Sequence, residues 1–192
     1  MLFRSGTGKL DQATWDKLMN DKAPPLTAYK ITAKDVAGPF TRSIPTKFEA
    51  QSRLKHLGYR NIEEMLGERF HLSEAALREL NPKARFTKAG TSIEVPDLAV
   101  DHGTEHAARL VVDKSGHDVE AFGPDNKLLA FYPASIGSTE KPAPTGQFTI
   151  ERIAHNPDYT YFPKFRFKGV AAKQPFTIAP GPNNPVGAVW MD

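Results

Sequence analysis

The sequence predicts a mainly β protein: an antiparallel meander of short strands in a sandwich or barrel, preceded by a small α+β module and a short N-terminal helix. Two observations carry this. From Arg109 onward apolar and polar residues alternate with period two in RLVVD, DVEAFGP, NKLLAFYPASIG and GQFTIERI, with turn residues at Lys114-Ser115-Gly116 and Gly123-Pro124-Asp125-Asn126. Helical periodicity is nearly absent after Leu98, whereas Phe48 to Pro96 holds two helix starts and one strand. The chain is therefore expected to divide near residue 100.

The N-terminal helix is expected in GKLDQATWDKLMND. Asp11 is its N-cap, Leu10 can staple onto Trp15, and Trp15, Leu18 and Met19 share one face. Residues 23–47 are punctuated by proline and read as a linker with one short strand around Tyr29 to Thr32. In the module, Asn61 and Glu64 have capping-box spacing, and Ile62, Met65, Leu66 and Phe70 form one apolar face. Ser73 caps a second helix with Leu77 and Leu80 inward, and Asn81-Pro82 ends it. The chain then turns at Gly90 and places Ile93 and Val95 in strand alternation.

Composition narrows the function. The 192 residues are 40% hydrophobic and 24% charged, which is globular rather than disordered, and the net charge of +3 comes without a basic block. Nucleic acid is therefore not an expected partner, while an acidic polymer such as a cell wall remains compatible. No apolar run is long enough to span a bilayer. MLFRSGTGKLDQ lacks the apolar core of a signal peptide, so an exported protein would carry its signal upstream. With no cysteine, the chain has no disulfide, zinc–thiolate site or thiol nucleophile.

A search for chemistry in these residues gives little. SGTGKL lacks the Ser or Thr after Lys9 that a phosphate loop uses for magnesium, and no strand precedes it. His102 and His106 have a helical metal-ligand spacing but no helical face and no third ligand nearby; they read as solvated, as do His117 and His155. Glu63 and Glu64 are neighbours on a helix and cannot converge on one bond. No cofactor and no metal is expected.

Three pieces of the β-rich half nevertheless resemble one family. YPASIG (Tyr132 to Gly137), PTGQF (Pro144 to Phe148) and PGPNNPVGAVWM (Pro180 to Met191), in this order and spacing, resemble the N-terminal half of the L,D-transpeptidase (YkuD-like) catalytic domain. The resemblance implies a β-sandwich and an exported, periplasmic or cell-envelope enzyme that cross-links peptidoglycan stem peptides. It also implies a GIHGT-like element and a SHGC motif further along, whose cysteine forms the acyl-enzyme. This sequence contains neither, so the chain is expected to be an inactive fragment with its nucleophile downstream.

Two weaker resemblances lie upstream. ERFHLSEAALRELNP and AGTSIEVP, within Tyr59 to Pro96, resemble a LysM module, which binds N-acetylglucosamine-containing glycans. Its first strand, usually marked by Gly-Asp-Thr, is not evident, and HLGYRNIEEML stands in that place. TGKLDQATWDKL resembles the last helix of a peptidoglycan-binding repeat. The expected organisation is thus a repeat helix (1–22), linker (23–47), LysM-like module (48–97), linker (98–108) and truncated catalytic domain (109–192). A truncated sandwich is expected to be poorly stable by itself. Tyr159, Asn183, Asn184 and Trp190, polar or aromatic groups near loops that would flank the nucleophile, are the candidate substrate-binding residues. The opposing reading makes the asparagines turn stabilisers and Trp190 a core residue. A non-catalytic peptidoglycan-binding envelope protein is the alternative function, and a secreted β-domain with a structural role is a third.

Overall fold

The computed structural model describes residues 11–20, 22, 24–98, 105–139, 141–166 and 169–192. The phosphate-loop candidate SGTGKL, the Leu10 staple and His102 lie outside the described residues. In chain order the elements are α1 (Gln12–Met19), β1 (Leu26–Lys30), α2 (Ala33–Ala37), α3 (Phe48–Gln51), α4 (Ile62–Arg69), α5 (Glu74–Leu80) and β2 (Ser92–Pro96). There follow β3 (Arg109–Asp113), β4 (Asp118–Phe122), β5 (Leu128–Pro133), β6 (Ile153–His155), β7 (Tyr159–Tyr161), β8 (Phe176–Ile178) and β9 (Val189–Met191). Among the described residues all strand pairs are antiparallel, and after β2 the helical content is one 3₁₀ turn, Pro163–Phe165.

The chain forms two compact units: Pro24–Leu98 with Thr149–Asp192, and Met1–Ala23 with Ala99–Phe148. In the first of these, β1 pairs with β2 from Leu26↔Pro96 to Lys30↔Ser92, with α2, α3, α4 and α5 between them in the chain. Ile31, Ile62, Leu66, Leu77, Phe86, Ile93 and Val95 make its core, and Met65 and Phe70 pack against it. The caps expected at Asn61 and Ser73 are present: their side-chain oxygens accept the Glu64 and Ala76 amides at 2.7 and 3.1 Å. Asn81 does more than stop α5. Its side chain donates to Glu94 O at 2.8 Å and accepts Glu94 N–H at 2.7 Å, acting as a strand partner for β2.

Within residues 23–47, read from sequence as a linker with one short strand around Tyr29 to Thr32, the strand lies at Leu26–Lys30 and pairs with β2. That stretch holds β1 and α2, and Thr32 and Asp35 form a reciprocal capping box on α2. Its prolines flank the strand rather than interrupt it. The strand signal is weak because β1 is almost wholly exposed, with only Tyr29 half-buried before the buried Ile31. Asp35 is itself buried and accepts hydrogen bonds from Tyr29 Oη, Thr32 N, Thr32 Oγ1 and Arg69 Nη1 at 2.7–2.8 Å. Burial alone would raise the Asp35 carboxyl, but these donors outweigh it and hold it well below the usual carboxylate range.

In the same unit, Thr149–Asp192 contributes two ribbons. β6 pairs with β9 (Ile153↔Met191, Ala154↔Trp190, His155↔Val189), and β7 pairs with β8. Tyr161 and Ile178 are fully buried, and Tyr161 stacks on Phe176 with centroids 5.0 Å apart.

The other unit holds the expected meander, β3-β4-β5. Its first turn is fixed by Asp113, whose carboxylate accepts the Ser115 and Gly116 amides, each at 2.9 Å. Its second contains Asn126 at φ 59°, a left-handed value that asparagine tolerates. The alternation places Leu110, Val112, Val119, Ala121, Ala130 and Tyr132 on one face, yet Val112 and Tyr132 are 53% and 61% exposed. GQFTIERI does not form the expected strand before Ile153; Phe148 is 74% exposed and no described strand pairs with residues 146–152. Among the described residues the strands form one three-stranded sheet and three two-stranded ribbons, all antiparallel, as a mainly β chain requires. In α1, Asp11 caps Thr14 N at 2.8 Å as expected, but no residue is buried.

Candidate functional site

A cleft of about 470 Å³ opens beside the β6–β9 ribbon, lined by Arg152, Ala154, Pro157, Asp158, Tyr159, Thr160, Phe162, Val186 and Trp190. Its origin is the cross-strand pair Ala154↔Trp190. A small residue opposite a tryptophan leaves space that the indole borders rather than fills. β7 begins at Tyr159 and supplies the facing side, and the turn after Asn184 supplies Val186.

The four sequence candidates separate into two pairs. Tyr159 and Trp190 both line the cleft. Tyr159 is half-buried and edge-on to Phe48 at 6.4 Å; burial first, and the nearby Tyr161 second, push its phenol up, so it remains a proton donor at neutral pH. Trp190 is 46% exposed at the border of the cleft. The asparagines are turned away from the cleft to hold the loop. Asn184 is buried; its amide donates to Ala179 O at 2.8 Å and its oxygen accepts Val186 N–H at 3.0 Å. Asn183 donates through Nδ2 to Gly58 O at 3.0 Å and lies beside Glu64. Burial pushes the Glu64 carboxyl up, but Arg60, through side chain, backbone and charge, and then Asn183 bring it below its ordinary value.

Arg152, Asp158 and Phe162 are cleft residues the sequence did not single out. Arg152 and Ala154 share a face through period two, so Arg152 follows once Ala154 is known to face Trp190; the pairing of β6 with β9, with 33 residues between His155 and Val189, is what sequence alone does not reveal. Arg152 is tied to Asp192 by Nε–Oδ1 and Nη2–Oδ2 contacts of 3.1 and 2.7 Å, which raise the guanidinium and lower the carboxyl from their ordinary values. Both groups are exposed, so this pair orients Arg152 more than it stabilises the ribbon.

The chemistry available here is recognition. Aromatic walls can pack on a peptide's apolar or backbone faces, and Arg152 and Asp158 offer one charge of each sign at the cleft. The sequence contains no cysteine, and no group of described residues has the ligand set for a metal. His106, His117 and His155 are exposed.

Residues 107–189 match the family model of the YkuD L,D-transpeptidase catalytic domain. The match includes the meander, Tyr159, both asparagines and every cleft residue except Trp190, which follows it by one position. The β-rich part of this chain is therefore similar to an L,D-transpeptidase catalytic domain. No curated protein matches the chain.

Proposed function

We propose that this chain is the substrate-holding part of an exported L,D-transpeptidase that cross-links peptidoglycan stem peptides in the cell envelope. The YkuD match over 107–189 carries this reading. In the proposed reaction a cysteine thiolate, activated by a neighbouring histidine, attacks the carbonyl beside the diamino acid of a tetrapeptide stem. D-Ala leaves, and the side-chain amine of a second stem releases the acyl-enzyme as the cross-link. None of these 192 residues is a cysteine, so the nucleophile belongs to sequence outside them. Tyr159 and Trp190 would bind the stem, while Asn183 and Asn184 would shape the loop beside it.

Pro24–Leu98 is proposed as a LysM-like module. The pairing of β1 with β2 around the α4–α5 helix pair supports this, with β1 as the strand that has no Gly-Asp-Thr signature. The uncovered Trp15, Leu18 and Met19 face of α1 is compatible with the last helix of a peptidoglycan-binding repeat. Mass spectrometry after incubation with a carbapenem tests the catalytic reading. The 192-residue chain should remain unmodified, and the product of the extended reading frame should gain one drug mass on a cysteine. An extended protein without a cysteine, or one that is never acylated, would overturn it. The zero-cysteine composition equally favours a non-catalytic wall-binding protein, for which sedimentation with purified sacculi in the absence of any acylation is the expected result.

A further inference from the structure

The cleft's two aromatic walls trace back to the helical module. Leu57, fully buried, donates its N–H to Pro180 O at 3.1 Å and accepts Asn183 N–H on its own carbonyl at 3.0 Å. The Asn183 side chain adds the bond to Gly58 O at 3.0 Å. Gly181 lies between these contacts at φ +148°, and a Cβ there would stand 2.2 Å from Leu57 O and 2.5 Å from Leu57 C. Both are backbone atoms, so no side-chain rotation relieves the clash; only glycine permits this approach. A second set of contacts lies at α3, where Phe48 meets Tyr159 edge-on and Glu49 Oε1 accepts Ala171 N–H at 3.0 Å.

We infer that residues 47–58 of the module are positioning residues for the cleft, holding the Pro180–Asn184 loop that leads to Val186 and Trp190 and backing Tyr159 from behind. The module is then a built-in part of the stem-binding surface rather than an appended wall anchor. The functional value of this rests on the transpeptidase reading, but the latch itself does not. From the latch the geometry runs forward through Asn184, which fixes Val186 N–H, and Ala188 O, which accepts Asn156 N–H, into the β9–β6 pair. The competing possibility is a loop held by Asn184 alone, indifferent to Leu57.

Residue-resolved hydrogen exchange on the full chain separates these. In Gly181→Ala the Leu57 and Asn183 amides should exchange about tenfold faster, and Val186 and Gly187 should accelerate with them, while the β2 amides keep their rates. Should Gly181→Ala fail to fold, Asn183→Ala, which keeps the backbone bonds, should accelerate the same amides by a smaller factor. Gly90→Ala strains a left-handed turn at φ +85° in the same module, away from the latch. It should leave Val186 and Gly187 unchanged. Wild-type rates at Val186 and Gly187 in the latch variants, or equal acceleration in Gly90→Ala, would overturn the inference. A parallel titration with a stem tetrapeptide ending in D-Ala should show about tenfold weaker binding to Gly181→Ala than to wild type. If wild type itself does not bind the peptide, the transpeptidase reading fails, and the exchange rates still decide the latch.

Discussion

Asn183 and Asn184 are adjacent and chemically identical, and the fold gives them different partners. Asn184 is satisfied within its own turn, while Asn183 reaches Gly58 and Glu64. Asn184→Ala should cost about 2 kcal/mol, because its removal leaves buried backbone groups unpaired; the unfolding midpoint of the Pro24–Leu98/Thr149–Asp192 unit in urea measures it. Trp190→Ala, at a 46% exposed position, should move that midpoint little but weaken stem-tetrapeptide binding by about tenfold in a calorimetric titration. Asp35→Asn should destabilise the same unit by about 2 kcal/mol at pH 7. This is below the usual cost of breaking a buried pair because Arg69 is 41% exposed and can rehydrate. Since folding depresses the Asp35 carboxyl, its contribution is complete above the unfolded value of about 3.9 and declines as pH falls below that. Wild type should therefore lose stability more steeply than Asp35→Asn between about pH 5 and pH 2, followed by circular dichroism.

At the scale of elements, caps and turns were readable because each is decided by a few adjacent residues. Asp11, Asn61 and Ser73 cap where expected, and Gly90 turns where expected. Glu64 departs slightly: its carboxylate accepts the Arg60 amide, one residue before the N-cap, and also grips the Arg60 guanidinium. Two strands were placed imperfectly: the one expected around Tyr29 to Thr32 lies at Leu26–Lys30, where exposed side chains give little alternation, and of GQFTIERI only Ile153 enters a strand, β6. Tight helix ends also create sites that sequence does not flag. A Cβ on Gly67 in α4 would lie 2.7 Å from the Leu72 carbonyl, which cannot swing aside. Gly67→Ala should therefore destabilise the unit by about 1–2 kcal/mol in denaturant unfolding, despite alanine's better helix propensity.

For the whole molecule, the two units differ in how much they bury. Pro24–Leu98 with Thr149–Asp192 contains the core cluster and nearly every fully buried side chain, whereas the β3-β4-β5 sheet buries Ala121 and Asp118 but leaves Val112 and Tyr132 open. Net stability is a small difference between large terms, so a sheet with this little buried area should open first. Heating should melt the β3–β5 amides before those of β1 and β2 in exchange-detected unfolding, with dye binding to exposed apolar surface in the first step. A single cooperative transition of both units would contradict this.

Residue order alone specifies the antiparallel meander, the helix caps and turns, and a family resemblance that the match over 107–189 supports. These features depend on local periodicity and on short motifs, which neighbouring residues specify without reference to distant chain. Three-dimensional contacts alone establish that β1 pairs with β2, that Trp190 borders a cleft with Tyr159, and that Asn183 faces Gly58 across 125 positions of sequence. Each of those depends on which distant backbone groups meet, and a hydrogen bond between two main-chain groups leaves almost no trace in the residues that make it.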